Sequence, residues 1–284
     1  MRNCVIWCVV LLAIAGTAYS EGPKPSEPGN ARQERRAGGK TEGPPKELTV
    51  DLGGGVKMEF VLIPAGSFLM GDEEGDDDEK PVHTVRITKP FYLGKYEVTQ
   101  EQWRAVMRYN PSEYQGPKNP VESVSWRICQ DFLAKLNQKF GSGGVKFGLP
   151  TEAQWEYACR AGTTTRYSFG DDSAKLVDYA WLGWNAKGST HPVGQKKPNA
   201  WGLYDMHGNV GEFCADWYSK DYYRNSPAED PIGPHSGDYR VWRGGQFGDG
   251  APVLFTCAGR EEISEEQYQG GPKFGFRVAR TLTP

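Results

Sequence analysis

Beyond Ala15 the sequence has no apolar run approaching the ~20 residues that a membrane-crossing helix requires, so no later segment reads as a span. It also lacks an excess of positive charge. Its 33 Lys and Arg stand against 36 Asp and Glu, for a formal net charge of −3. That balance offers no electrostatic case for nucleic acid or an anionic membrane surface as partner. Histidine is scarce, and His83, His191, His207 and His235 fall at neither zincin nor zinc-finger spacing. Neither a Gly-x-Ser-x-Gly elbow nor a phosphate-cradling loop occurs, which removes the usual signatures of serine hydrolases and nucleotide enzymes. No internal repeat is present.

What is present first is an export signature. Arg2 precedes an apolar stretch from Val5 to Ala15, and Ala18-Tyr19-Ser20 has the small-x-small pattern of a signal-peptidase site, so residues 1–20 read as a signal peptide. No cysteine follows the cut to carry a lipid anchor. Losing Arg2 takes the formal net charge from −3 to −4. Residues 21–47 are Pro, Gly, Lys, Arg and Glu with almost no large apolar side chain, and cannot bury enough surface to offset the entropy of ordering. Residues 48–284 form the expected domain and hold every Trp except Trp7. Gly (36) and Pro (20) exceed the usual ~12% for the pair, while aromatics reach 12%, a mixture that predicts a packed but loop-rich fold.

Met58 to Ile63 and Val82 to Ile87 read as strands, being short apolar stretches closed by Pro or Gly. The acidic run Asp72 to Glu79 does not match a calcium loop and reads as a solvated connection. Thr99 with Gln102 and Thr151 with Gln154 match the capping box and predict two helix starts. Between them, Trp126, Cys129, Phe132, Leu133, Leu136 and Phe140 recur at three- and four-residue steps, the stripe of a helix with one buried face. After Gly162 only short apolar pieces occur, placing any site on loops braced by a rigid interior.

Five stretches and a closing pair resemble the formylglycine-generating-enzyme-like, or sulfatase-modifying-factor, family. They are Val61-Leu-Ile-Pro-Ala-Gly-Ser-Phe-Leu-Met-Gly71, Tyr96-Glu-Val-Thr-Gln100, Val121-Glu-Ser-Val-Ser-Trp126, Leu149-Pro-Thr-Glu-Ala-Gln-Trp-Glu-Tyr-Ala-Cys-Arg160 and Gly202-Leu-Tyr-Asp-Met-His-Gly-Asn-Val-Gly-Glu212, then Arg243-Gly-Gly245 with Phe274-Gly-Phe-Arg277. The resemblance implies an α+β, C-type-lectin-like fold with little regular secondary structure. Function must still be argued from the site.

Sulfatase-activating members of the family hold copper through two cysteines that follow Arg-Gly-Gly, since soft thiolates suit Cu(I). Here Arg243-Gly-Gly245 leads into Gln246-Phe-Gly-Asp249, so Asp249 stands where the first cysteine would fall, and Pro252 to Leu254 where the second would. No cysteine occurs between Cys214 and Cys257, so copper is not expected. The family's Asn-x-Trp-Glu-Trp reads Asn209-Val-Gly-Glu-Phe213, and replacing that Trp by Gly211 is expected to open space in the cleft. Arg243, Gln246, Asp249 and Gly211 are therefore the cleft candidates.

Apart from Cys4 and Cys8 in the signal, the chain has Cys129, Cys159, Cys214 and Cys257, whose pairing the residues alone leave open. The resemblance implies a disulfide between Cys159 and Cys257, and a second one replaced at both ends by Leu133 and Val278. Cys129 and Cys214 are then expected as buried thiols. It also implies one structural calcium held by Asp205, Gly208, Val210 and Glu212. A second family calcium site is not carried over, because Trp181 replaces its usual Asn. His207 is expected to stabilise its loop through hydrogen bonds, and Glu261, Glu262, Glu265 and Glu266 to form a solvated acidic patch.

The sequence thus points to an exported, periplasmic or extracellular binding or scaffolding module for a peptide, protein or small-molecule ligand. The alternative is an oxidoreductase of this family acting on a small molecule or peptide, and behind it a formylglycine-generating oxidase.

Overall fold

Three successive glycines, Gly53, Gly54 and Gly55, lie at φ of 93°, 64° and 84°, and turn the chain between β1 (Glu47–Gly53) and β2 (Val56–Ile63). The computed structural model describes residues 44–250, 255–264, 268 and 271–282. The expected signal and most of the expected arm lie outside the described residues. The folded unit begins a few residues before Leu48, because the Pro45 carbonyl accepts the Tyr92 hydroxyl at 2.8 Å and Glu47 already pairs with Val61.

β3 (Gly66–Met70) pairs antiparallel with β4 (His83–Ile87), and β5 (Phe91–Gly94) lies against β2. Then come α1 (Gln100–Met107), α2 (Trp126–Phe140), β6 (Phe147–Gly148), α3 (Glu152–Arg160) and the short α4 (Leu176–Tyr179). The last part supplies β7 (Gly211–Trp217), β8 (Tyr239–Arg243), β9 (Arg260–Ser264), β10 (Phe274–Gly275) and β11 (Ala279–Thr281). One sheet runs β1-β2-β5-β11-β6 and another β10-β7-β8-β9. The fold is α+β and loop-rich, with none of the described helices long and apolar enough to cross a membrane.

Local chemistry explains the helix starts. Thr99 and Gln102 exchange side-chain to backbone bonds at 3.4 and 3.0 Å, and Thr151 and Gln154 do so at 3.1 and 3.0 Å, forming both capping boxes. The α2 stripe buries Cys129, Phe132, Leu133 and Leu136, and Phe132 stacks on Trp103 at 5.1 Å between ring centres. Leu133 and Val278 lie in the same apolar cluster. All four described cysteines are buried.

The acidic run differs from expectation at its end. Asp78 and Glu79 are buried rather than solvated. Tyr218 donates its hydroxyl to Asp78 Oδ2 at 2.8 Å, and burial pushes the Glu79 carboxyl up to about 7. Nearby, α3 and β8 enclose an ionic layer. Arg260 grips Glu152 through Nε at 2.7 Å and Nη2 at 2.9 Å, while Arg160 meets Glu156 at 2.8 Å. Paired, bidentate geometry of this kind is what makes buried charge tolerable.

Candidate functional site

The loop from Asp205 to Glu212 is forced into shape by two non-glycine residues in the left-handed region, Asp205 (φ 59°) and Asn209 (φ 72°). Asn209 Nδ2 donates to Glu97 Oε2 at 2.7 Å, and the Val210 N–H donates to Glu97 Oε1 at 3.0 Å. Asp205 Oδ2 accepts the Gly194 N–H at 2.8 Å, whereas its Oδ1 is buried without a partner among the described residues. Both oxygens of Glu212 are engaged. Arg277 Nη2 meets Oε1 at 2.5 Å, and Oε2 receives Arg277 Nε at 2.6 Å and Trp155 Nε1 at 2.8 Å.

Three buried carboxylates, Glu97, Asp205 and Glu212, therefore face one guanidinium. Burial, then the Asp205 and Glu212 charges, push Glu97 well above the carboxylate range, and burial lifts Asp205 to about 6. Surplus negative charge and the unpartnered Asp205 Oδ1 fit a hard divalent cation beside Asp205. Glu212 fits that role poorly where it stands, since ligation would compete with Arg277. Glu97 was legible only as part of the Tyr96-Glu-Val-Thr-Gln100 match. Upstream, the Trp181 ring stacks on His191 at 3.8 Å between ring centres and carries the Lys196 ammonium at 3.9 Å. That arrangement puts a side-chain cation close to the position where the resemblance places a second metal.

The cleft candidates separate into two groups. Arg243 does not line a cleft: it is fully buried in the ionic layer, pairing with Glu156 and donating to the Gly259 carbonyl at 2.7 Å. Gly211 opens no space. A Cβ there would lie 2.7 Å from Trp242 Cε3 and 3.0 Å from Phe274 Cδ1, so those rings already occupy the volume. Gln246 and Asp249 belong together. Gln246 Nε2 donates to Asp249 Oδ1 at 2.9 Å, leaving Gln246 Oε1 and Asp249 Oδ2 buried without partners among the described residues.

Glu261 and Glu262 line a cavity of about 520 Å³ together with Asp76, Asp77, Asp78 and Lys220. Burial, then the neighbouring carboxylates including Asp249, lift Glu261 to about 7. Glu265, Glu266 and residues 252–254 lie outside the described residues.

Cys159 and Cys257 are brought together, with their Sγ atoms 3.4 Å apart, and His207 Nε2 lies 4.0 Å from Cys159 Sγ. His207 does brace its loop, through Nδ1 to the Phe255 carbonyl at 2.7 Å and Nε2 from the Ser168 N–H at 3.2 Å.

Residues 55–282 match the sulfatase-modifying factor enzyme 1-like domain. A formylglycine-generating enzyme of Streptomyces coelicolor is 29% identical, over 77% of this chain and 88% of its own length. Among solved structures, Treponema denticola variable protein 1 superposes with a TM-score of 0.77 at 32% identity, over 84% of this chain and all of that one. PvdO from Pseudomonas aeruginosa superposes with a TM-score of 0.74 at 29% identity, over 85% of this chain and all of that one. With the domain matched across nearly all of its described residues, the chain belongs to the sulfatase-modifying factor enzyme 1-like family.

Proposed function

We propose that the chain is an exported binding or scaffolding module whose ligand presents a cationic or hydrogen-bond-donating group. One observation carries this: Gln246 Oε1 and Asp249 Oδ2 are buried acceptors without partners among the described residues, in the segment where the family's copper-binding cysteines would fall. Carboxylate and amide oxygens are hard donors and poor ligands for Cu(I), but they suit an ammonium or guanidinium. An unsatisfied buried acceptor costs about 1–3 kcal/mol, which a ligand's donor would recover. The acidic cavity of Asp76, Asp77, Asp78, Glu261 and Glu262 adds charge of the same sign.

A structural calcium beside Asp205 belongs to the same proposal, with the Gly208 and Val210 carbonyls as further ligands. Support comes from three buried carboxylates set against the single guanidinium of Arg277. In that arrangement Glu212 acts chiefly by holding Arg277.

Titration calorimetry with short Arg- and Lys-bearing peptides is the test. Binding is expected, and Asp249→Asn should weaken it about tenfold, the equivalent of ~1.4 kcal/mol. Equal affinity for wild type and variant would sink the proposal.

A further inference from the structure

A cavity of about 590 Å³ opens at one end of the five-stranded sheet, where Phe91 begins β5 and Thr281 ends β11. It shares no residue with the pair of Gln246 and Asp249 or with the acidic cavity. We propose that it binds a small amphipathic anion, a straight-chain carboxylate with a tail of about ten carbons, in a volume typical of small-molecule sites.

The apolar walls are anchored. Pro90, Phe91, Ile232 and Leu282 line the cavity, and Phe91 belongs to one buried cluster while Leu282 packs on another. Ile232 is 61% exposed, although Pro231 and Gly233 on either side of it are buried. Its loop is clamped at both ends. Asp230, at φ 43°, accepts the Thr88 N–H at 2.9 Å and the Thr88 hydroxyl, and the Gly233 N–H donates to the Tyr222 hydroxyl at 3.1 Å. An aliphatic side chain held out of the core beside a cavity, by a loop that cannot fold it back, offers surface to an apolar ligand.

The polar lining offers donors only. Its side-chain acceptors are already engaged: Asp230 by Thr88, Thr151 Oγ1 by the Gln154 N–H at 3.1 Å, Gln154 Oε1 by the Thr151 N–H at 3.0 Å, and Thr281 Oγ1 by the Lys146 N–H at 2.9 Å. What is left without a partner among the described residues is the ammonium of Lys89, the ammonium of Lys146 and the Gln154 amide N–H groups. Two ammonium groups face one carboxylate, so the lining is net positive, and both lysines are exposed, which places that charge at the mouth. Apolar walls below a donor-rich, positive mouth select a hydrocarbon tail with an anionic head, and give a cationic head no acceptor to meet.

Calorimetric titration of the full chain with decanoate, kept below its micelle concentration, tests this. One decanoate per chain is expected, with affinity rising roughly fourfold for each methylene from octanoate to decanoate. Decyltrimethylammonium, of equal tail and opposite charge, should bind about tenfold more weakly, and Lys89→Gln/Lys146→Gln should weaken decanoate about fivefold while leaving decanol unchanged. Ile232→Ser should weaken decanoate and decanol alike. All three side chains are exposed, so both variants should melt as the wild type does. The proposal is overturned if wild type shows no saturable binding of decanoate, if decyltrimethylammonium binds as tightly, or if both variants bind decanoate as the wild type does.

Discussion

Arg277 holds both carboxylate oxygens of Glu212 in a fork, at 2.5 and 2.6 Å, and donates two further N–H groups to the Gly94 and Tyr204 carbonyls at 3.0 and 2.9 Å. One side chain thus joins β5, the segment before the Asp205 loop, and β7. Breaking a buried pair by removing one partner leaves an uncompensated charge. Arg277→Ala is therefore expected to cost about 3–5 kcal/mol, read as a shifted denaturant midpoint at unchanged slope.

The calcium proposal makes Asp205 the sharper test residue than Glu212. Chelation should lower the melting temperature of the wild type, and Asp205→Asn, which keeps the shape but not the charge, should remove that response. An unchanged melt in chelator would exclude a bound ion.

Gly211 is required by its neighbours. With Trp242 and Phe274 packed 4.9 Å apart between ring centres over its backbone, Gly211→Ala should cost about 1–3 kcal/mol through overpacking. Trimming the partner in Gly211→Ala/Trp242→Leu should recover part of that cost, measurable as a non-additive cycle.

Asp216 supplies a pH dependence. Burial, then the Glu152 carboxylate, push it up to about 8, against about 3.9 in an unfolded chain. Between those values the folded chain keeps a proton that the unfolded chain has released, so this group makes stability fall as pH rises through the window. Asp216→Asn retains an oxygen to accept the Glu152 N–H, which now reaches Oδ2 at 2.8 Å, and removes the titration. Its gain over wild type in urea unfolding should be larger at pH 8 than at pH 5, and an equal gain at both would contradict the assignment.

Features set by nearby residues were legible in the sequence. The capping boxes of Thr99 and Thr151, the buried stripe of α2 and the strand around Phe60 each depend on neighbours a few positions away. Features set by distant partners were not. Gly211 reads as lost bulk until Trp242 and Phe274 arrive from other strands, and the charge of Asp78 and Glu79 reads as solvated until Tyr218 folds over the first and the core closes on the second. Cys159 and Cys257 lie 98 positions apart, so only the family resemblance, and no spacing rule, could bring them together. Of the four cleft candidates, Gln246 and Asp249 make a pair, while Gly211 and Arg243 turned out to serve packing and the ionic layer.

If the oxygens of Gln246 and Asp249 stand in for the family's copper-binding cysteines, as proposed, the chain binds without oxidising. Mass spectrometry of a Cys-x-Pro-x-Arg peptide incubated with the full chain, copper and oxygen decides between the two. A peptide cysteine of unchanged mass is expected, and its conversion to formylglycine would refute the binding role.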